Sequence, residues 1–132
     1  MNNLRKKIVP LESEECATFV DWLEWQKRIG NILLFTHVPN ETFTRSWKTK
    51  LTNKKLGVRK GFPDYAIVTA AYHFVAIEMK RLSGSTTAAE QKAWVAAIAG
   101  CGRSSHAKVC RGAAEAIEFV KEFLPAKNLR GF

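Results

Sequence analysis

Apolar residues along this 132-residue chain fall at two spacings, and the change from one to the other marks out its elements. Cys16, Phe19, Val20 and Leu23 recur at steps of three and four, the period of a helix with one apolar face. Ser13 and the nearby acids suit a start and Gly30-Asn31 a stop, so a helix is expected from Ser13 to about Arg28. Ile32 to Val38 is a β-rich apolar run that Pro39-Asn40 ends. Residues 40–62 have little periodicity and read as a long basic loop, with room for a short helical turn near Trp47. Tyr65–Ala70 and Phe74–Lys80 read as two strands joined by a short turn at Ala71-Tyr72. Thr86 can cap a helix running to about Ala99, where Gly100 and Gly102 close it. Ala88, Gln91, Val95 and Ile98 share one face of that helix, so Gln91 is a polar residue on an apolar stripe. A short strand, Ala107–Arg111, and an amphipathic helix, Ala113–Leu124, complete the order α-β-β-β-α-β-α. That order predicts one α/β domain over residues 1–132, a mixed sheet flanked by helices, with loose tails at 1–10 and 125–132.

Alternation within the second of the paired strands raises a chemical question. Side chains on a strand repeat every two residues, so Glu78 and Lys80 share a face while Ile77 and Met79 point into the core. An acid and a lysine side by side on an apolar strand are costly unless something uses them. If the turn is a simple hairpin, Asp64 falls opposite Glu78 or Lys80, within cross-strand reach. Two converging carboxylates form an oxygen site for a hard divalent cation. A neighbouring lysine can hold a water or offset phosphoryl charge. The competing reading is a surface ion pair between Glu78 and Lys80.

Charge narrows the partners. The chain carries a formal charge of +9, which favours a polyanion. Arg45, Lys48, Lys50, Lys54, Lys55, Arg59 and Lys60 follow one another with no acid between Glu41 and Asp64, and the run leads straight into Asp64. A segment tracking phosphates beside a reaction centre is expected there, the alternative being a solvated basic loop, and Trp47 reads as a core or interface aromatic before a base-stacking one. No apolar run approaches the ~20 residues of a membrane span. The basic N-terminus lacks the apolar stretch of a signal peptide, so a cytoplasmic protein without a membrane partner is expected. Cys16, Cys101 and Cys110 are odd in number and scattered, with no zinc spacing, and read as reduced thiols.

The segments Gly57-Val58-Arg59-Lys60-Gly61-Phe62-Pro63-Asp64-Tyr65, Phe74-Val75-Ala76-Ile77-Glu78-Met79-Lys80-Arg81 and Glu90-Gln91-Lys92 together resemble the VRR-NUC family. These are the virus-type replication-repair nucleases of the PD-(D/E)XK superfamily. His37-Val38-Pro39-Asn40 and Val109-Cys110-Arg111-Gly112, followed by Glu115-Ala116, look like further segments of that family, in the right order over nearly the whole chain. The resemblance is to the stand-alone phage and bacterial members. It implies the restriction-endonuclease-like fold and a bacterial or phage-infected host cell.

Residue by residue, the resemblance implies that Asp64 and Glu78 bind the catalytic Mg²⁺ or Mn²⁺, with the main-chain carbonyl of Met79 as a further ligand. Lys80 would orient and activate the attacking water, and Gln91 would support both. The family also places a glutamate of the first helix toward the metal. Glu12 fits that register, with Glu15 one turn on, while Cys16 stands where many relatives have glutamine. Glu14 reads as favourable charge at a helix N-terminus. The implied activity is a DNA endonuclease acting on branched DNA as a homodimer, after the manner of a Holliday-junction resolvase, with the basic run and Arg81 holding the backbone. Flap or single-strand cleavage, RNA cleavage, and a non-catalytic DNA-binding module on a nuclease scaffold are the alternatives.

Overall fold

The structure is a computed structural model and describes residues 10–39 and 47–126. Its elements run α1 (Glu12–Arg28), β1 (Ile32–His37), α2 (Trp47–Lys55), β2 (Tyr65–Thr69), β3 (Phe74–Lys80), α3 (Ala89–Ala99), β4 (Ser105–Arg111) and α4 (Ala113–Lys121). The strands lie in the order β1-β2-β3-β4. The first two pairings are antiparallel and β3–β4 is parallel, so the sheet is mixed, as the alternation of strands and helices predicts.

Helix α1 begins where the carboxylate of Glu14 reaches back 3.2 Å to the N–H of Leu11, the backward half of a capping box. It ends in a Schellman turn through Gly30, with the Asn31 N–H bonded to the Gln26 carbonyl and the Gly30 N–H to that of Lys27. The buried side chains of Gln26 and Asn31 bond each other at 2.7 Å, fixing the angle at which the chain enters β1. On the sheet, Ile67 and Tyr65 of β2 and Val75, Ile77 and Met79 of β3 point to one face. There they meet Phe19 and Leu23 of α1 and Ala116 and Val120 of α4. All of these are essentially excluded from water. Burying a side chain of this size stabilises the fold by about 1.5–3 kcal/mol. Glu78 and Lys80 therefore project to the opposite face, which α3 covers beside β3 and β4.

Two elements depart from the expectations. Residues 47–55 form a full nine-residue helix rather than a turn within a loop. None of its residues is buried and it packs against no other described helix or strand, so no apolar stripe announces it. Helix α3 is capped at Ala88, not Thr86. The Gln91 side-chain oxygen accepts the Ala88 N–H at 3.0 Å, so the cap comes from inside the helix and needs no hydroxyl.

Candidate active site

The β2–β3 hairpin builds the centre of the site. Its register pairs Tyr65 with Ile77 and Ala66 with Ala76, and one step further places Asp64 opposite Glu78. The Asp64 carboxylate accepts the Met79 backbone N–H at 2.7 Å, which fixes it against the end of β3. It also lies close enough to Glu78 for the two carboxyl groups to act on each other. Glu78 is 2% exposed. One of its oxygens, Oε2, accepts Gln91 Nε2–H at 2.9 Å and lies 3.5 Å from Lys80 Nζ. The other, Oε1, is buried without a hydrogen-bond partner. Burial first, and then the neighbouring Asp64 carboxylate, push the Glu78 carboxyl up to about 8, against the pull of Lys80. The structure thus brings Asp64, Glu78, Lys80 and Gln91 together.

Gln91 holds its place through two contacts. Its oxygen caps α3 while its amide N–H grips Glu78, so the helix start and the strand acid are set by one side chain. Gly61, with φ of +97°, lets residues 59–62 lie directly on this turn. A Cβ there would stand 2.7 Å from Glu90 Cβ. The close approach this glycine permits is to the protein's own α3.

The first-helix acids have different surroundings. Glu15 reaches across to α4, where its Oε2 accepts the Ala113 N–H at 2.8 Å. It thereby caps a helix whose own N-cap is Gly112 and brings negative charge to that helix N-terminus. Glu12 is exposed at the first residue of α1, near enough for its charge to act on Cys16 and Tyr65. Cys16 is half-buried beside the Tyr65 hydroxyl, and burial raises its thiol. Burial also raises Tyr65, which packs edge-on against Phe19 at 5.3 Å. Sequence reasoning did not find this Cys16–Tyr65 pair, nor the strut made by Arg111. That guanidinium bonds the carbonyls of Arg81 and Ser85 and the Ser85 hydroxyl, tying down the chain that leaves β3.

Two neighbouring carboxylates, one with a buried oxygen that accepts no hydrogen bond, are a fit for a hard cation, because oxygen ligands of this kind suit Mg²⁺ and Mn²⁺. Among the described residues no three His, Cys, Asp or Glu side chains cluster as metal ligands, so Asp64 and Glu78 stand as a pair. Of the basic residues, Lys48, Lys50, Lys54, Lys55, Arg59 and Lys60 are exposed on α2 and the segment after it. Lys60 pairs with Glu90 at 3.3 Å. Arg81 is half-buried at the end of β3, and Arg45 lies outside the described residues. His73 and His106 bond each other at 2.9 Å beside Phe123, at the far end of β3 and β4 from Glu78.

Among the described residues no helix is long and apolar enough to cross a membrane. No curated protein sequence matches the chain. Its fold is similar to that of a solved structure titled VRR_NUC domain protein. The TM-score is 0.62 at 23% identity, covering 88% of this chain and 89% of that one. Residues 3–114 match the VRR-NUC domain. That span runs unbroken through the hairpin bearing Asp64, Glu78 and Lys80 and through α3 with Gln91, and the chain accordingly belongs to the VRR-NUC family of nuclease domains.

Proposed function

We propose that this nuclease domain is a Mg²⁺- or Mn²⁺-dependent endonuclease that hydrolyses phosphodiester bonds of branched DNA. The observation that carries the reading is the buried Glu78 carboxyl beside Asp64, one of its oxygens accepting no hydrogen bond, with Lys80 alongside. Asp64, Glu78 and the main-chain carbonyl of Met79 would hold the cation, with Glu12 toward it from α1. When bound, such a cation polarises the scissile phosphate and acidifies a water.

The chain's own residues supply the rest. Lys80 is largely shielded from solvent, its side chain 12% exposed, so its charge acts at short range on an attacking water and on the phosphoryl oxygens. Gln91 holds Glu78 in place by taking its Oε2, which leaves Oε1 without a protein donor and able to serve as a ligand for a cation. The lysines of α2 with Arg59 and Lys60 hold the flanking backbone. Phosphate contacts position DNA without reading bases, so selection follows shape. Junction cutting calls for two sites acting together, and a homodimer supplies them. What supports a second copy is the apolar sheet surface of Leu34, Ala66 and Val68, on strands that α3 does not contact, continued by Phe74.

The test is Mg²⁺-dependent cleavage of a synthetic four-way junction beside linear duplex, flap, single-stranded DNA and RNA, with the Asp64→Ala and Lys80→Ala variants. Paired symmetric nicks in the junction, abolished in both variants while DNA binding persists, are the expected result. Resection from an end, or preferred cleavage of flap or RNA, would replace the substrate reading. Unchanged cutting by both purified variants would overturn the site.

A further inference from the structure

Between the segment that precedes Asp64 and helix α3 lies a cleft of about 410 Å³, lined by Arg59, Lys60, Glu90, Ala93, Trp94 and Ala97. The machinery described above uses none of its floor. That floor is carbon, the methyls of Ala93 and Ala97 and the ring of Trp94, and its rim carries the two cations. Trp94 is held edge-on against Phe62, their ring centres 5.0 Å apart, so the indole is braced from one side. Gly61 sets the cleft wall by lying directly on Glu90 and Gln91. The volume is within the range of roughly 300–1,000 Å³ typical of small-ligand clefts.

Position and charge select the occupant. Trp94 follows Gln91 by three residues on α3, a rise of about 4.5 Å, and Gln91 touches Glu78. Arg59 stands five residues before Asp64 and continues the basic run of α2. Lys60 offsets the one acid at the rim by pairing with Glu90. A chain threading from the α2 lysines to the Asp64–Glu78 pair would pass over this cleft with phosphates on Arg59 and Lys60. An aromatic ring beside a guanidinium is the platform on which an unpaired base stacks, whatever its identity.

We infer that this cleft is a nucleobase pocket, taking one unpaired base of a nucleotide next to the scissile phosphate, with Trp94 as its stacking face and Arg59 as its phosphate and ring contact. The inference rests on the nuclease reading for its orientation. It adds that the substrate carries an unpaired or extrudable nucleotide beside the cut, of any base type.

The experiment scans single abasic residues along a fluorescein-labelled junction and a splayed-arm DNA. Binding is followed by anisotropy in EDTA and cleavage is followed separately in Mg²⁺. Wild type, Trp94→Leu, Trp94→Phe and Ala97→Glu are compared, the last an exposed position that fills the cleft without touching Phe62. Removing the base at one position is expected to weaken wild-type binding about tenfold. The same removal should change binding by less than twofold in Trp94→Leu and Ala97→Glu, with Trp94→Phe largely restoring the effect. Base-independent wild-type binding at every position would overturn the pocket, even with cleavage intact. Equal losses on intact and abasic DNA in Trp94→Leu and Ala97→Glu would also overturn it, making the cleft structural or a protein-docking site. Base-dependent binding without any cleavage would uphold the pocket and refute the nuclease reading instead.

Discussion

Replacing Glu78 with glutamine should make the metal-free protein more stable at alkaline pH while ending its response to Mg²⁺. Folding carries this carboxyl from an ordinary value of 4.5 to about 8, chiefly by burial. At about 1.4 kcal/mol per pH unit, that is roughly 5 kcal/mol of preference for the neutral form. The sign follows from linkage. The folded protein keeps a proton that the unfolded chain releases between 4.5 and 8, so this group's contribution is full below 4.5 and is lost as pH rises through 8. Relaxation around the charged form cuts the expressed difference to ~2–3 kcal/mol, which for a domain of this size is roughly 10 °C in Tm. Glutamine keeps the volume, accepts from Gln91 through its oxygen, and can donate its amide to Asp64. In EDTA, Glu78→Gln should therefore melt about 10 °C above wild type at pH 9, and the curves should converge near pH 5. Added Mg²⁺ should raise the wild-type Tm and leave the variant unmoved. Melting curves across pH, with and without Mg²⁺, provide the measurement. A variant no more stable than wild type at pH 9, or one still stabilised by Mg²⁺, would refute the electrostatic reasoning.

The two first-helix glutamates should separate by assay. Glu15→Ala is expected to cost about 1–2 kcal/mol in urea unfolding, through removal of the cap on α4, with specific activity of the folded fraction retained. Glu12→Ala should leave stability within ~0.5 kcal/mol and raise the Mg²⁺ concentration needed for cleavage. Gly112→Ala puts a side chain on a backbone at φ of +92° and ψ of 162°, a region essentially confined to glycine, and thermal melting should show a loss of about 1–3 kcal/mol. Changing Lys50 and Lys54 of α2 to alanine should weaken binding to all DNA sequences alike. The slope of log K against log salt should become shallower by about one for each phosphate that is no longer neutralised.

The central pair was legible because it depends on local rules. Strand alternation put Glu78 and Lys80 on one face, and a short turn at Ala71-Tyr72 brought Asp64 opposite Glu78. Gln91 was visible as the polar exception on an apolar stripe, although its second task of capping α3 was not. Helix α2 was hidden because an element that buries nothing carries no period. The choice between Glu12 and Glu15 was beyond local reasoning, since the Glu15 partner is Ala113, 98 residues away, and reaches it only once α1 and α4 have packed. The cleft under Trp94 was hidden for the same reason: its walls come from separate segments that Gly61 brings into contact.

The isolation of α2 has a consequence for how this protein meets its substrate. A nine-residue helix with no buried side chain is marginal in water on its own. Its last turn is basic, with Lys54 and Lys55 at the negative end of the helix, where the N–H groups of Leu56, Gly57 and Val58 bond the carbonyls of Thr52, Lys54 and Asn53, and polyanion binding would screen the repulsion among its lysines. If its lysines hold the substrate as proposed, part of its conformational entropy would be surrendered at the moment of DNA capture rather than during folding. Each encounter would then bind more weakly for a given area of interface, in exchange for faster capture and faster release after the cut.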